Sequence, residues 1–219
     1  MGVKAVLNWL YPYSAACLCC NRVHLTGKEY LLCDDCRKAL ESLTGPFGQP
    51  IPGFERVLYP YRYHAQAREL VLRLKYGSAL EAADLLSSAM ADTVQAYEFD
   101  VIVPVPLHER RRRTRGYNQA EELAKRLSAA IHTPVTDALV RTRATHRQAR
   151  LKDPAARRKN VDGAFAARRS LEGMRVLLVD DVCTTGATAS ACLSALKDAK
   201  AASVTLLCAA GPAKKRAVK

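Results

Sequence analysis

Residues 176–188 read VLLVDDVCTTGAT, and this segment constrains the chain more than any other. Val176-Leu177-Leu178-Val179 has the unbroken apolar composition of a strand buried on both faces of a parallel sheet. Asp180 and Asp181 follow at its end. A short loop, Cys183-Thr184-Thr185-Gly186-Ala187-Thr188, then leads into Ala189, Cys192, Leu193 and Leu196, which repeat at helical spacing. A helix start presents free backbone N–H groups and the positive end of its dipole, so an anion is favoured there. The hydroxyls of Thr184, Thr185 and Thr188 add donors, and Gly186 lets the backbone approach an oxygen closely.

Two acids would repel a bare phosphate. On a sugar phosphate they instead accept hydrogen bonds from neighbouring hydroxyls and help hold Mg²⁺ through its water shell, while the loop takes the phosphate. A ribose 5-phosphate satisfies both ends. An acidic strand end before a Thr-capped helix occurs in many folds, and the narrowing comes from all four features within thirteen residues. A P-loop is a poor alternative, because no Gly-Lys-Ser/Thr follows.

The chain around this segment alternates strand and helix. Val57–Tyr63 has strand composition interrupted by Pro60, and Ala67, Leu70, Val71 and Leu74 have helical spacing up to a stop at Gly77. Ala79, Ala83, Leu86, Met90 and Val94 predict a second helix. Val101–Val103 predicts a strand ending at Pro104, followed by an Arg-rich loop. Ala120, Leu123, Ala124, Leu127 and Ile131 mark a helix face. Pro134–Val140 reads as a strand, 142–170 as a long, basic, mostly irregular stretch, and Val204–Leu207 as the last strand. The expected class is α/β, a parallel sheet flanked by helices, with ligands beyond the carboxyl ends of the strands.

Residues 1–45 stand apart, closed by the loop-forming run GPFGQPIPG. The chain thus divides into 1–45 and 46–219. Cys17, Cys20, Cys33 and Cys36 give C-x2-C-x12-C-x2-C, a spacing that can bring four thiolates around Zn²⁺. Such a closed site is structural, and it stabilises a segment with too little core of its own. Cys19 lies between the first two ligands and could replace one of them. MGVKAVLNWLYPY lacks the features of a secretory signal, and no apolar run is long enough for a membrane span. The expected compartment is the cytoplasm, where paired cysteines favour metal over disulfides.

The net charge is +13, and its distribution is uneven: residues 101–175 carry 18 Lys/Arg against 7 Asp/Glu. This stretch attracts phosphates or a polyanion such as single-stranded DNA, or serves simply as a solvated basic surface. Within it, VPVPLHERRRRTRGYNQ supplies His108, Arg110, Arg111, Arg112, Arg113 and Arg115 just after a strand end. Arginine forks there suit a pyrophosphate. Tyr117 offers a ring for a base. The block 141–165 adds Gln148 and Arg157 as candidate lid residues.

The DDVCTTGAT segment resembles the 5-phosphoribosyl-1-pyrophosphate (PRPP) motif of type I phosphoribosyltransferases. The resemblance implies that Asp180 and Asp181 hold the ribose hydroxyls at the catalytic centre, and that Val182, Cys183, Thr184, Thr185, Gly186, Ala187 and Thr188 enclose the 5-phosphate. Cys183 falls where that motif varies. Together with the cysteine knuckles, LKYG at 74–77, VPVPLH…RGYNQAEELA and HRQARL…RRKNVDGAF, the motif order is similar to the ComF family over almost the whole chain. That similarity implies a zinc module fused to a type I phosphoribosyltransferase domain using Mg²⁺. It also implies an association with DNA uptake, although relatives in non-competent bacteria are connected with gluconate utilisation. Three functions follow as expectations: a transferase of open acceptor, a single-stranded-DNA-binding protein built on the same fold, or an adaptor for a DNA-uptake helicase.

Overall fold

The computed structural model describes residues 16–22, 31–77, 79–143 and 163–212. A five-stranded sheet is built from β1 (Thr44–Gly48), β2 (Arg56–Arg62), β3 (Val101–Pro104), β6 (Arg175–Val182) and β7 (Ser203–Gly211), in the order β1-β2-β7-β6-β3. From β2 to β3 all neighbours are parallel, and β1 closes one edge antiparallel to β2. A separate antiparallel pair joins β4 (Leu139–Arg141) to β5 (Phe165–Ala167). The helices are α1 (Asp34–Glu41), α2 (Ala65–Tyr76), α3 (Glu81–Val94), α4 (Glu109–Arg115), α5 (Gln119–Ile131) and α6 (Ala187–Asp198).

Alternation along the strands sorts side chains into two cores. From β6, Leu177 and Val179 join Leu70, Leu86 and Leu123 under α2, α3 and α5. Val176 and Leu178 point the other way, into a core with Cys192, Leu193 and Leu196 of α6 and with β4 and β5. Both faces of the central strands are covered, as their continuous apolar runs require. The first core extends without a break to Cys17, Leu32, Cys33, Cys36 and Leu40, so the cysteine segment packs on the helical face.

The α/β class and the spacing-based helices hold. Ala67, Leu70, Val71 and Leu74 of α2 are fully buried, and Gly77 caps the helix. Four features differ. The Arg-rich stretch after β3 is a helix, α4. His108 Nδ1 caps it by accepting from the Arg110 N–H at 3.2 Å, Arg113 pairs with Glu109 one turn back, and Gly116 stops it at φ 86°. Pro134–Val140 is not one strand. Val135 makes a single bridge to Ile102, and only Leu139–Arg141 goes on to pair, with β5 rather than the main sheet. β6 runs through the acid pair to Val182, and β7 reaches Gly211. The GPFG stretch read as linker belongs to β1. Pro60 is accommodated within β2 because the β1–β2 register shifts opposite it, between Thr44 and Phe47. Among the described residues, no helix is long and apolar enough to cross a membrane.

Candidate functional site

A cavity of about 580 Å³ opens beyond the carboxyl ends of β3 and β6. Every residue from Asp180 through Ala189 lines it, and Lys75, Tyr76, Arg111, Arg115, Gln119 and Arg141 complete much of the remaining wall. The loop leaves β6 after Cys183 donates its backbone N–H to the Ala210 carbonyl at 3.0 Å, which ties the loop base to β7. Gly186, at φ 74°, is the N-cap of α6, and no side chain caps that helix start. Thr184 and Thr185 are exposed beside it. An uncapped helix start with hydroxyls around it is a place for an anion.

The two carboxylates differ. Asp181 is buried, and its Oδ2 lies 2.8 Å from Lys75 Nζ. Asp180 Oδ1 accepts the Asp181 backbone N–H at 2.8 Å. Burial, and then the neighbouring Asp181 charge, push the Asp180 carboxyl up to about 7, against the opposing pull of Lys75. Lys75 keeps its proton more firmly than usual: burial works against the ammonium, but the charges of Asp181 and Asp180 outweigh it. The site therefore carries two acids, one compensating ammonium and an anion-favouring loop, all within one cavity.

The arginines divide by direction. Arg111 and Arg115 line the cavity. Arg115 bonds Gln119 and lies over the Tyr76 ring, 5.3 Å from its centre. Arg112 turns instead to Glu121 at 3.4 Å and Arg113 to Glu109. Arg110 is exposed on α4, and His108 is spent on capping that helix. Tyr117 lines the cavity while its hydroxyl donates to the Leu74 carbonyl. Gln148 and Arg157 lie outside the described residues. Sequence reasoning left Lys75 and Arg141 without a role. Lys75 stood within LKYG, and Arg141, stacked over Phe165 at 5.2 Å, opened the basic block after β4.

In the N-terminal segment, Cys17, Cys20, Cys33 and Cys36 bring their four Sγ atoms within 4.8 Å of one another. The Cys20 and Cys33 sulfurs are 3.7 Å apart. A tetrahedral zinc–thiolate site, with Zn–S of about 2.3 Å, has sulfurs roughly 3.8 Å apart, so the cluster can hold a metal ion. Burial raises the Cys17 thiol, but backbone N–H groups of Cys20, Cys33 and Cys19 outweigh it and bring it down to about 6. Cys19 is turned away. Its Sγ donates to the Gln66 carbonyl at 3.7 Å, and burial pushes it up to about 12.

An acid pair ending a parallel strand, followed by an anion loop at a helix start, defines the class. Residues 76–219 match the family model described as the phosphoribosyl transferase domain, and the chain belongs to this family, in its ComF branch. It is 32% identical over 203 residues to the DNA utilization protein YhgH of Escherichia coli O157:H7, covering 88% of each chain. It is 30% identical over 185 residues to Competence protein F of Haemophilus influenzae, covering 77% of this chain and 80% of that one. With Competence protein ComFC of Bacillus subtilis it shares 34% identity over 152 residues, 66% of this chain and 60% of the relative.

Proposed function

We propose that the cavity binds PRPP and that the chain serves the handling of DNA taken up by the cell. Asp180 and Asp181 take the ribose hydroxyls, and Val182–Thr188 takes the 5-phosphate on the N–H groups and hydroxyls of the α6 start. Arg111 and Arg115 face the pyrophosphate. The observation that carries this reading is the meeting of the acid pair, the loop and two arginines in one cavity of about 580 Å³. The DNA connection rests on the names of the relatives, two of which are competence proteins.

Mg²⁺ fits the oxygen-rich end of this site, where Asp180 and Asp181 would hold it through water, and it supplies charge neutralisation to the pyrophosphate. The chain's own residues fix the ribose and neutralise the departing group, so that a nucleophile, usually a base nitrogen, attacks the anomeric carbon as the bond to pyrophosphate breaks. In the N-terminal segment, residues 1–45, Zn²⁺ held by Cys17, Cys20, Cys33 and Cys36 is structural and supports the 46–219 domain. A cytoplasmic setting keeps these thiols reduced.

Calorimetry with PRPP and Mg²⁺, followed by pyrophosphate release across a panel of nucleobases and amines, tests the reading. Asp180→Asn should weaken PRPP binding roughly 10- to 100-fold, since hydrogen bonds to a charged group contribute about 1.5–3 kcal/mol. A folded wild-type protein that ignores PRPP would sink it. A second reading draws on the charge of residues 101–175 and on the exposure of Arg110, Arg112 and Arg113 on α4. In it the basic face binds single-stranded DNA, with salt-sensitive affinity that survives Asp180→Asn and weakens when Arg111 and Arg112 become Ala.

A further inference from the structure

Helix α2 links the cysteine cluster to the cavity. Near its start, the Gln66 carbonyl accepts from Cys19 Sγ at 3.7 Å. Near its end, Arg73 Nη2 donates to Asn21 Oδ1 at 3.1 Å, braced by Glu69 on Arg73 Nε at 3.0 Å. Asn21 follows Cys20 directly, sits in the left-handed region at φ 60°, and donates its backbone N–H to the Cys17 carbonyl at 2.9 Å. The clip on Arg73 is thus part of the turn that carries the first two thiols. Leu70, between the two polar contacts, and Leu74, next after Arg73, share one buried core with Cys17, Leu32 and Leu40.

Two residues beyond Arg73, the same helix places Lys75 in the cavity, 2.8 Å from Asp181 Oδ2. The pair is close to desolvated, with 21% of the lysine and 5% of the aspartate side chain exposed. Lys75 and the cysteines all precede the stretch that matches the phosphoribosyl transferase domain, which begins at residue 76.

We propose that Lys75 is a positioning residue for the acid pair, and that the four-cysteine module keeps it in place by gripping α2. This rests on reading the cavity as a ribose-phosphate site. Without the ammonium, two adjacent carboxylates would repel each other and the ligand's phosphates, and the buried Asp181 charge would lose its partner. The ion pair at 2.8 Å also keeps the Asp181 carboxylate beside the ammonium in the cavity wall, where a ribose hydroxyl would meet it. The last turn of a helix frays readily unless held from outside; the Asn21–Arg73 clip holds it from the cysteine module, beside the Tyr117 hydroxyl on the Leu74 carbonyl and Arg115 over the Tyr76 ring.

The test compares wild type with Lys75→Met, Lys75→Arg and Asn21→Gly. Glycine keeps the left-handed backbone at residue 21 while removing the clip. Ribose 5-phosphate and PRPP, each with Mg²⁺, are titrated calorimetrically, and amide hydrogen exchange is followed over residues 72–77. Lys75→Met should weaken both ligands roughly tenfold or more, and Lys75→Arg should restore part of the loss. Asn21→Gly, which touches no cavity residue, should weaken binding severalfold and speed exchange in 72–77. Stripping metal from otherwise folded protein should do the same. Wild-type affinity in a folded Lys75→Met protein overturns the positioning role. Unchanged exchange and affinity in both Asn21→Gly and metal-stripped protein overturn the grip. If wild type binds neither ligand, the ribose-phosphate reading fails together with the positioning role, while the exchange measurement still decides whether the module holds α2.

Discussion

Gly186 packs its bare Cα against Ile51: a Cβ at that position would lie 2.5 Å from Ile51 Cδ1. The contact brings the loop between β1 and β2 against the start of α6, where the residue is also in the left-handed region at φ 74°. Two constraints therefore select glycine at one position, and both act on the geometry of the proposed phosphate loop.

Gly186→Ala should be destabilising by about 2–5 kcal/mol, combining roughly 1–2 for a left-handed non-glycine with about 1–3 for overpacking. Denaturant unfolding measures the loss. The partner identifies the cause: Ile51→Ala in the Gly186→Ala background should recover the overpacking share and leave the backbone share. Strict additivity of the two substitutions would show that the Ile51 contact is unimportant.

The arginines after β3 give a prediction that composition alone could not make. Arg111→Ala and Arg115→Ala should each lower PRPP affinity by about tenfold, the size of one charge-assisted hydrogen bond between the cavity wall and a phosphate oxygen. Arg113→Ala should leave it near wild type, because that guanidinium pairs with Glu109 on the exposed side of α4. Titration of the three single variants under one salt concentration checks the order. Equal reductions in all three would mean a diffuse basic field rather than directed bonds.

The cysteines can be separated in the same way. Purified protein should contain about one metal ion per chain, the content of a single tetrahedral site. Cys33→Ser should lose it and lower thermal stability. Cys19→Ser should retain it, since Cys19 Sγ faces Gln66 and lies outside the group of four. Metal analysis beside thermal unfolding decides the matter, and loss of metal in Cys19→Ser would return Cys19 to the ligand set.

What was legible in the sequence is what leaves a pattern along the chain. α2 and α5 show through apolar residues at helical spacing, and β6 with its loop through an apolar run meeting DD and TTG. α4 buries no residue, so hydrophobic periodicity had nothing to report; its signs were a cap at His108, an ion pair one turn apart and a glycine stop. β1, reading TGPFG, has little strand propensity and exists because the β2 edge was available to pair with it. The direction of each arginine and the Lys75–Asp181 contact are tertiary facts. Lysine in LKYG reads as an ordinary helix-end charge until the fold brings it to the end of β6.

The base of β6 supplies a test by pH that is independent of the ligand site. Asp100 Oδ2 accepts the Arg175 backbone N–H at 2.7 Å, and its Oδ1 accepts Arg175 Nη2 at 2.9 Å. The Arg175 side chain first, and its backbone N–H second, hold the Asp100 carboxyl down at about 2. A free aspartate titrates near about 3.9. The folded state thus prefers the ionised form, so the stabilisation is complete above the unfolded pKa and is lost as pH falls through the folded one. Wild type should exceed Asp100→Asn in unfolding free energy by a constant margin above about pH 5. The margin should shrink between roughly pH 4 and pH 2 and shrink further with added salt, because the pair is exposed. Denaturant titrations at stepped pH measure it. A margin that persists unchanged at about pH 2 would show that the Asp100 charge contributes nothing to holding the start of β6.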